Sequence, residues 1–149
     1  MADRSAPIRK TPLEILADLQ SGHDDALLFG GPEKGKKYLL SFFERANSLP
    51  NAVKFFLYDL LAEDAFRAED LETCRMAITR AAEYLPAAQE EAAQRFREYT
   101  PSIRLFERGI ALAMDDGEFE QAIAFCDQAL ALNLGKAYAA KKASIERMM

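Results

Sequence analysis

The chain has 149 residues, half of them hydrophobic and 29% charged, with seven glycines, six prolines, no tryptophan and a net charge of −5. That length suits one domain with a real hydrophobic core. The acidic balance, with a pI near 5.0, argues against nucleic-acid binding, which needs a basic face to neutralise phosphates.

The basic clusters Arg9-Lys10 and Lys34/Lys36/Lys37 are too small to form such a face. No apolar stretch approaches the ~20 residues that span a bilayer. Residues 1–10 contain no apolar run followed by a cleavage site, so no secretory signal is visible and a cytoplasmic location is expected. Cys74 and Cys126 each sit among apolar residues at helical spacing, as reduced intracellular thiols do. Apolar and polar residues hardly ever alternate, and an all-α fold follows.

The polar residues 1–10 carry no periodicity and are expected to be a flexible N-terminus, with 11–149 forming a single α-helical domain. Thr11-Pro12 starts a helix with a capping hydroxyl and a proline at the first helical position. Leu13, Ile15, Leu16 and Leu19 give it an apolar stripe to about Gln20. Ser21 to Asp25 reads as a break, and Gly30-Gly31-Pro32 as a second one before a helix from about Glu33 to Ser48. The next helix, about Asn51 to Arg67, has apolar residues nearly all the way round and must be buried on more than one side. Asp70 caps a helix carrying Leu71, Cys74, Ile78, Ala81 and Leu85, which should stop at Pro86. A more polar helix is expected over Ala87–Glu98. Thr100-Pro101 then starts one ending near Asp115, and helices of about Glu118–Asn133 and Lys136–Met148 follow. This makes about eight helices, with connections short enough for antiparallel neighbours.

Residues 101–134 carry the most specific pattern. Ala122 and Ala129 place small side chains one face-turn apart on a second helix, Phe119 follows the Asp116-Gly117 turn, and Phe106 opens the first helix. This segment resembles a tetratricopeptide (TPR) repeat, although the family's first-helix glycine falls at Ile110, with Gly109 one residue early, and its terminal proline at Leu134. Tyr58 to Pro86 fits the same frame more loosely, through Tyr58, Leu61, Ala62, Cys74, Ala81 and Pro86. Leu49-Pro50 and Leu85-Pro86 stand 36 residues apart, close to the family's period of roughly 34. An irregular α-bundle whose alanines match by chance is the alternative.

The resemblance implies a TPR-like superhelical array of antiparallel helix pairs, with a helix at 87–98 inserted between two units. It also implies a non-catalytic adaptor or chaperone-like function, holding a peptide or helix of another protein in a concave groove. On that reading Phe56, Asp59, Glu63, Phe66, Arg104, Arg108 and Ala111 line the groove. Arg104 and Arg108, four residues apart on one helix face, resemble the basic clamp by which chaperone-cofactor members of the family hold a C-terminal carboxylate. Asp59 and Glu63 stand where that clamp wants lysine and asparagine. A short array leaves an apolar end, so a homodimer through a terminal helix is also expected.

Other chemistry is poorly supplied. Gly30 to Lys37 nearly spells a phosphate-binding P-loop, with Gly30, Gly35 and Lys36 correctly spaced, but Lys37 replaces the hydroxyl needed on Mg²⁺, and although Ala26 to Phe29 could form one short strand, the rest of the chain supplies no partner strands. Nucleotide binding through this segment is therefore a lesser alternative to a helix-entry turn, beside a purely structural oligomer subunit. His23, Asp24 and Asp25 do not converge on a metal centre and read as loop and capping residues. With one histidine and no base near either cysteine, no catalytic set is assembled, and neither a cofactor nor a metal is expected.

Overall fold

A computed structural model of the chain describes residues 12–45, 49–92 and 103–149. Among these residues there are six helices and no strand: α1 (Pro12–Arg45), α2 (Asn51–Arg67), α3 (Leu71–Ala92), α4 (Leu105–Asp115), α5 (Phe119–Ala131) and α6 (Ala137–Met148). The all-α expectation holds. Residues 1–10, expected to be loose, the Thr100-Pro101 start and the second half of the 87–98 helix lie outside the described residues.

α1 is two arms. Gly31 breaks it with φ 69° and ψ −162°, a conformation open essentially to glycine. A side chain at Gly22 would meet Tyr38, and one at Gly35 would meet Leu27, so the arms fold back on each other around this turn. The break expected at Ser21–Asp25 does not occur. His23 continues the stripe of Leu16 and Leu19 at three- and four-residue steps, and all three are buried.

Pro86 does not end α3, which runs on to Ala92. Proline removes one helical hydrogen bond, but Leu85 and Ala88 extend the buried stripe of Cys74, Ile78 and Ala81 across it. Packing of that face outweighs the lost bond. The expected separate helix at Ala87 is thus, as far as it is described, a continuation of α3.

The helices pack mainly on their neighbours in the chain: α1 on α2, α2 on α3, α4 on α5 and α5 on α6. α4 also touches both α2 and α3, which joins the two halves. The pairs α2–α3 and α4–α5 turn in the same way. Asp70 N–H bonds Ala65 O and Glu118 N–H bonds Ala113 O, each at 2.8 Å. Glu69 and Gly117 hold the left-handed position at φ 61° and 72°, as in a Schellman-type helix end. The matching bonds recur 48 residues apart, and Cys74/Ala122 and Ala81/Ala129, at that same offset, are all fully buried. The spacing between pairs is longer than the 34-residue frame because α3 continues past Pro86 and a further segment precedes α4.

Gly109 does close-packing work one position before the place expected for a glycine. A β-carbon there would lie 2.9 Å from the Phe125 ring, so its absence lets α5 approach α4. At Gly31 the constraint is torsional, since nothing lies within 4 Å of an added β-carbon. Gly31→Ala should therefore destabilise the fold by about 1–3 kcal/mol, read as a drop in the urea midpoint at unchanged slope.

Candidate functional site

α2 and α4, the two helices expected to line a groove, lie side by side and run in the same direction: Asp59 faces Leu105 and Glu63 faces Arg108. Asp59 is buried, and its Oδ1 accepts the backbone N–H groups of Arg104 at 2.9 Å and Leu105 at 2.8 Å. The first residues of a helix need such acceptors. Arg104, the residue preceding α4, supplies none from its own side chain. Burial pushes the Asp59 carboxyl up to about 7, against the opposing pull of the two N–H groups.

One turn further along α2, Glu63 takes Arg108 in a two-pronged pair, Nε–Oε1 2.6 Å and Nη2–Oε2 2.8 Å. The Arg108 guanidinium also lies over Phe66, 4.2 Å from the ring centre. Arg67 adds a contact to Glu63 at 3.2 Å. The hydrogen bond from Arg108 holds the Glu63 carboxyl below its usual range, with burial opposing it.

The structure thus brings Asp59, Glu63, Phe66 and Arg108 together and spends them on one another. Phe56 is buried, edge-on to Phe55 at 5.1 Å. Ala111 is half-buried, and Arg104 is exposed with a 3.8 Å contact to Glu107. Arg104 and Arg108 are not a free pair, since Arg108 already holds a carboxylate.

The segment 30–37 forms the α1 turn and the start of its second arm. Carboxylates, rather than N–H groups, meet it there: an added β-carbon on Gly35 would collide with Asp64 Oδ2. Lys36 Nζ reaches Asp70 at 3.1 Å and Glu33 at 3.4 Å. Asp70 also accepts the Thr73 N–H at 3.2 Å, capping α3 as expected. Its bonds from Thr73, and then the Lys36 ammonium, hold its carboxyl down at about 2.

His23 is not a loop residue. Its Nε2 lies 2.5 Å from Asp64 Oδ2, both residues buried, binding α1 to α2. Sequence reading missed the tasks of Asp59 and Asp64, yet a signal existed. Carboxylates on a helix that is apolar all round have to be paired when buried. Among the described residues no group of three or more ligand-type side chains is placed to hold a metal. No described helix is long and apolar enough to cross a membrane.

A second feature lies on the other face. α3, α4 and α5 enclose an open cleft of about 540 Å³. Gly109, Leu112 and Ala113 of α4 form its floor, with Ile78 and Ala82 on one wall and Phe125 on the other. Thr79, Glu83, Gln121 and Gln128 supply polar groups, and Arg75 of α3 closes one end by a two-pronged pair with Asp116. Comparison with protein-family models, with curated proteins and with solved structures finds no match for this chain.

Two outcomes test the α2–α4 seam. Because the folded Asp59 value of about 7 exceeds the ordinary 3.8, the folded state binds this proton more tightly. Its contribution to stability is complete below the ordinary value and is lost as pH rises through 7. Glu63 and Asp70, shifted downward, contribute in the opposite sense, losing their share as pH falls through their folded values. From pH 5.5 to 8, stability should thus fall by about 2 kcal/mol, and Asp59→Asn should flatten that fall in urea titrations. In double-mutant cycles to alanine, Glu63–Arg108 should couple by about 1–2 kcal/mol, whereas exposed Arg104–Glu107 should give close to zero.

Proposed function

We propose that this chain is a non-catalytic, TPR-like helical-repeat module that holds a helix or extended peptide of another protein, adaptor- or chaperone-like, in the cleft between α3 and α5. The observation that carries the reading is the cleft itself: a furrow over the closely packed apolar residues Gly109, Leu112 and Ala113, with exposed polar groups on its walls. α2 and α4 run in the same direction and each turns back through the same kind of turn, so α3 and α5 run alike. They flank α4 as two ridges with a furrow between them. A furrow with an apolar floor suits an amphipathic helix or a peptide with alternating anchors.

The repeat reading is supported by the matching turns of α2–α3 and α4–α5 and by the buried small residues Cys74, Ala81, Ala122 and Ala129. The docking surface differs from the one the repeat pattern suggests on α2 and α4, because Glu63 and Arg108 already neutralise each other there. A cytoplasmic location belongs to the same proposal, supported by two buried cysteines that are both free.

Thr79 is exposed and lines the cleft, so Thr79→Arg fills it with little risk to the core. Immobilised wild type should recover a stoichiometric partner protein from lysate. Thr79→Arg should lose at least tenfold of that recovery, while Arg104→Ala keeps it. Equal recovery by wild type and Thr79→Arg would remove the cleft from the proposal.

A further inference from the structure

The cleft between α3 and α5 carries charge of one sign. Of its charged lining residues, Arg75 and Asp116 hold each other in a two-pronged pair. That leaves Glu83 on the α3 wall and Glu118 on the α5 wall, both exposed. Glu118 directly precedes α5, yet its side chain makes no capping hydrogen bond. Glu83 meets Arg80 at 3.5 Å, with both side chains more than half exposed, and a pair in that setting contributes little.

The surroundings do not cancel this charge. α3 and α4 supply only Arg75, Arg80 and Arg108 as cations, and α5 supplies none. Arg108 is held by Glu63 on the opposite face of α4. Lys142 of α6, which reaches α5, is taken by Asp127 at 2.8 Å, while Lys34 and Lys37 belong to α1, which leans on α2. Glu72, about one turn before Arg75, Asp115 at the end of α4 and Glu120 in the first turn of α5 are exposed near the Arg75 end and add to the negative side.

The two carboxylates are staggered. Glu83 lies eight residues beyond Arg75, or roughly 12 Å along α3, and Arg75 is tied through Asp116 to the turn that carries Glu118. They therefore stand on opposite walls, with uncharged residues between them: Thr79 and Ala82 on α3 and Gln121 on α5. Those side chains and Gly109 are short enough along the α3 wall and floor for a visiting backbone to come close.

We infer, on the reading that this cleft holds a partner, that its occupant is a basic amphipathic helix with lysines or arginines seven or eight residues apart, one for Glu83 and one for Glu118. Residues at that spacing are about 10–12 Å apart along a helix, which matches the stagger of the carboxylates. Apolar residues at the intervening three- and four-residue steps would face the floor. An acidic helix would meet like charge on both walls. The charges select the sign of the partner more than they add affinity.

Fluorescence anisotropy of the full chain with two labelled peptides of about four helical turns tests this. One peptide carries lysines seven residues apart on either side of an alanine–leucine face, and the other has glutamate in place of each lysine. The lysine peptide should bind roughly tenfold tighter than the glutamate peptide, and its affinity should fall as NaCl rises from about 50 to about 500 mM. Glu83→Lys/Glu118→Lys should reverse the order of the two peptides; both positions are exposed, so the helical circular dichroism should be unchanged. Thr79→Arg should remove binding of the lysine peptide. Wild type that binds neither peptide, or both alike, would overturn the inference. So would a charge reversal that leaves the order as it was, or lysine-peptide binding that survives Thr79→Arg and so lies elsewhere on the acidic surface. A lysate partner lost by Thr79→Arg and kept by the charge reversal would sink this inference alone and leave the cleft reading standing.

Discussion

Three carboxylates on one buried helix hold this structure in register. α2 is apolar nearly all round, and burial of Val53, Phe55, Leu57 and Leu61 supplies the non-directional drive to collapse. Such packing fixes neither the angle nor the order in which other helices arrive. Asp59, Glu63 and Asp64 do, because each needs a partner and each finds it on a different element or at a different level. Asp64 takes His23 of α1, Asp59 takes the opening N–H groups of α4, and Glu63 takes Arg108 one turn further on. A one-residue slip of α4 along α2 would strand a buried charge, at a cost far above that of an imperfect apolar contact.

The arrangement of α3, α4 and α5 follows from that attachment. α4 is seated against α2 by its N-terminus and by Arg108, while its far end is tied to α3 through Arg75 and Asp116. Gly109 then draws α5 onto α4. α5 is thereby placed by α4 rather than by α3, and a cleft remains between the two outer ridges. The cleft is a consequence of which helix each element leans on.

The charges show two regimes. At the α2–α4 seam they are at least half-buried, geometrically paired and structural; elsewhere exposed groups pair over short distances, as Arg104 does with Glu107 and Lys142 with Asp127. The first kind fixes the fold, and the second contributes little to it.

The sequence by itself determined the helical class, the turn at Gly30-Gly31, the capping by Asp70 and the inward positions of Cys74, Ala81, Ala122 and Ala129. These follow from local rules of periodicity, capping and left-handed turns that act over a few residues. It misplaced the break at Ser21–Asp25 and the stop at Pro86, where a polar or cyclic residue was weighed by propensity while its neighbours were being buried by a distant helix. The tasks of Asp59, Glu63, Asp64 and His23 were decided by tertiary structure, since each takes a partner more than forty residues away. A carboxylate announces that it needs a partner, but pairing across such distances depends on which faces meet, and only the packed helices settle that.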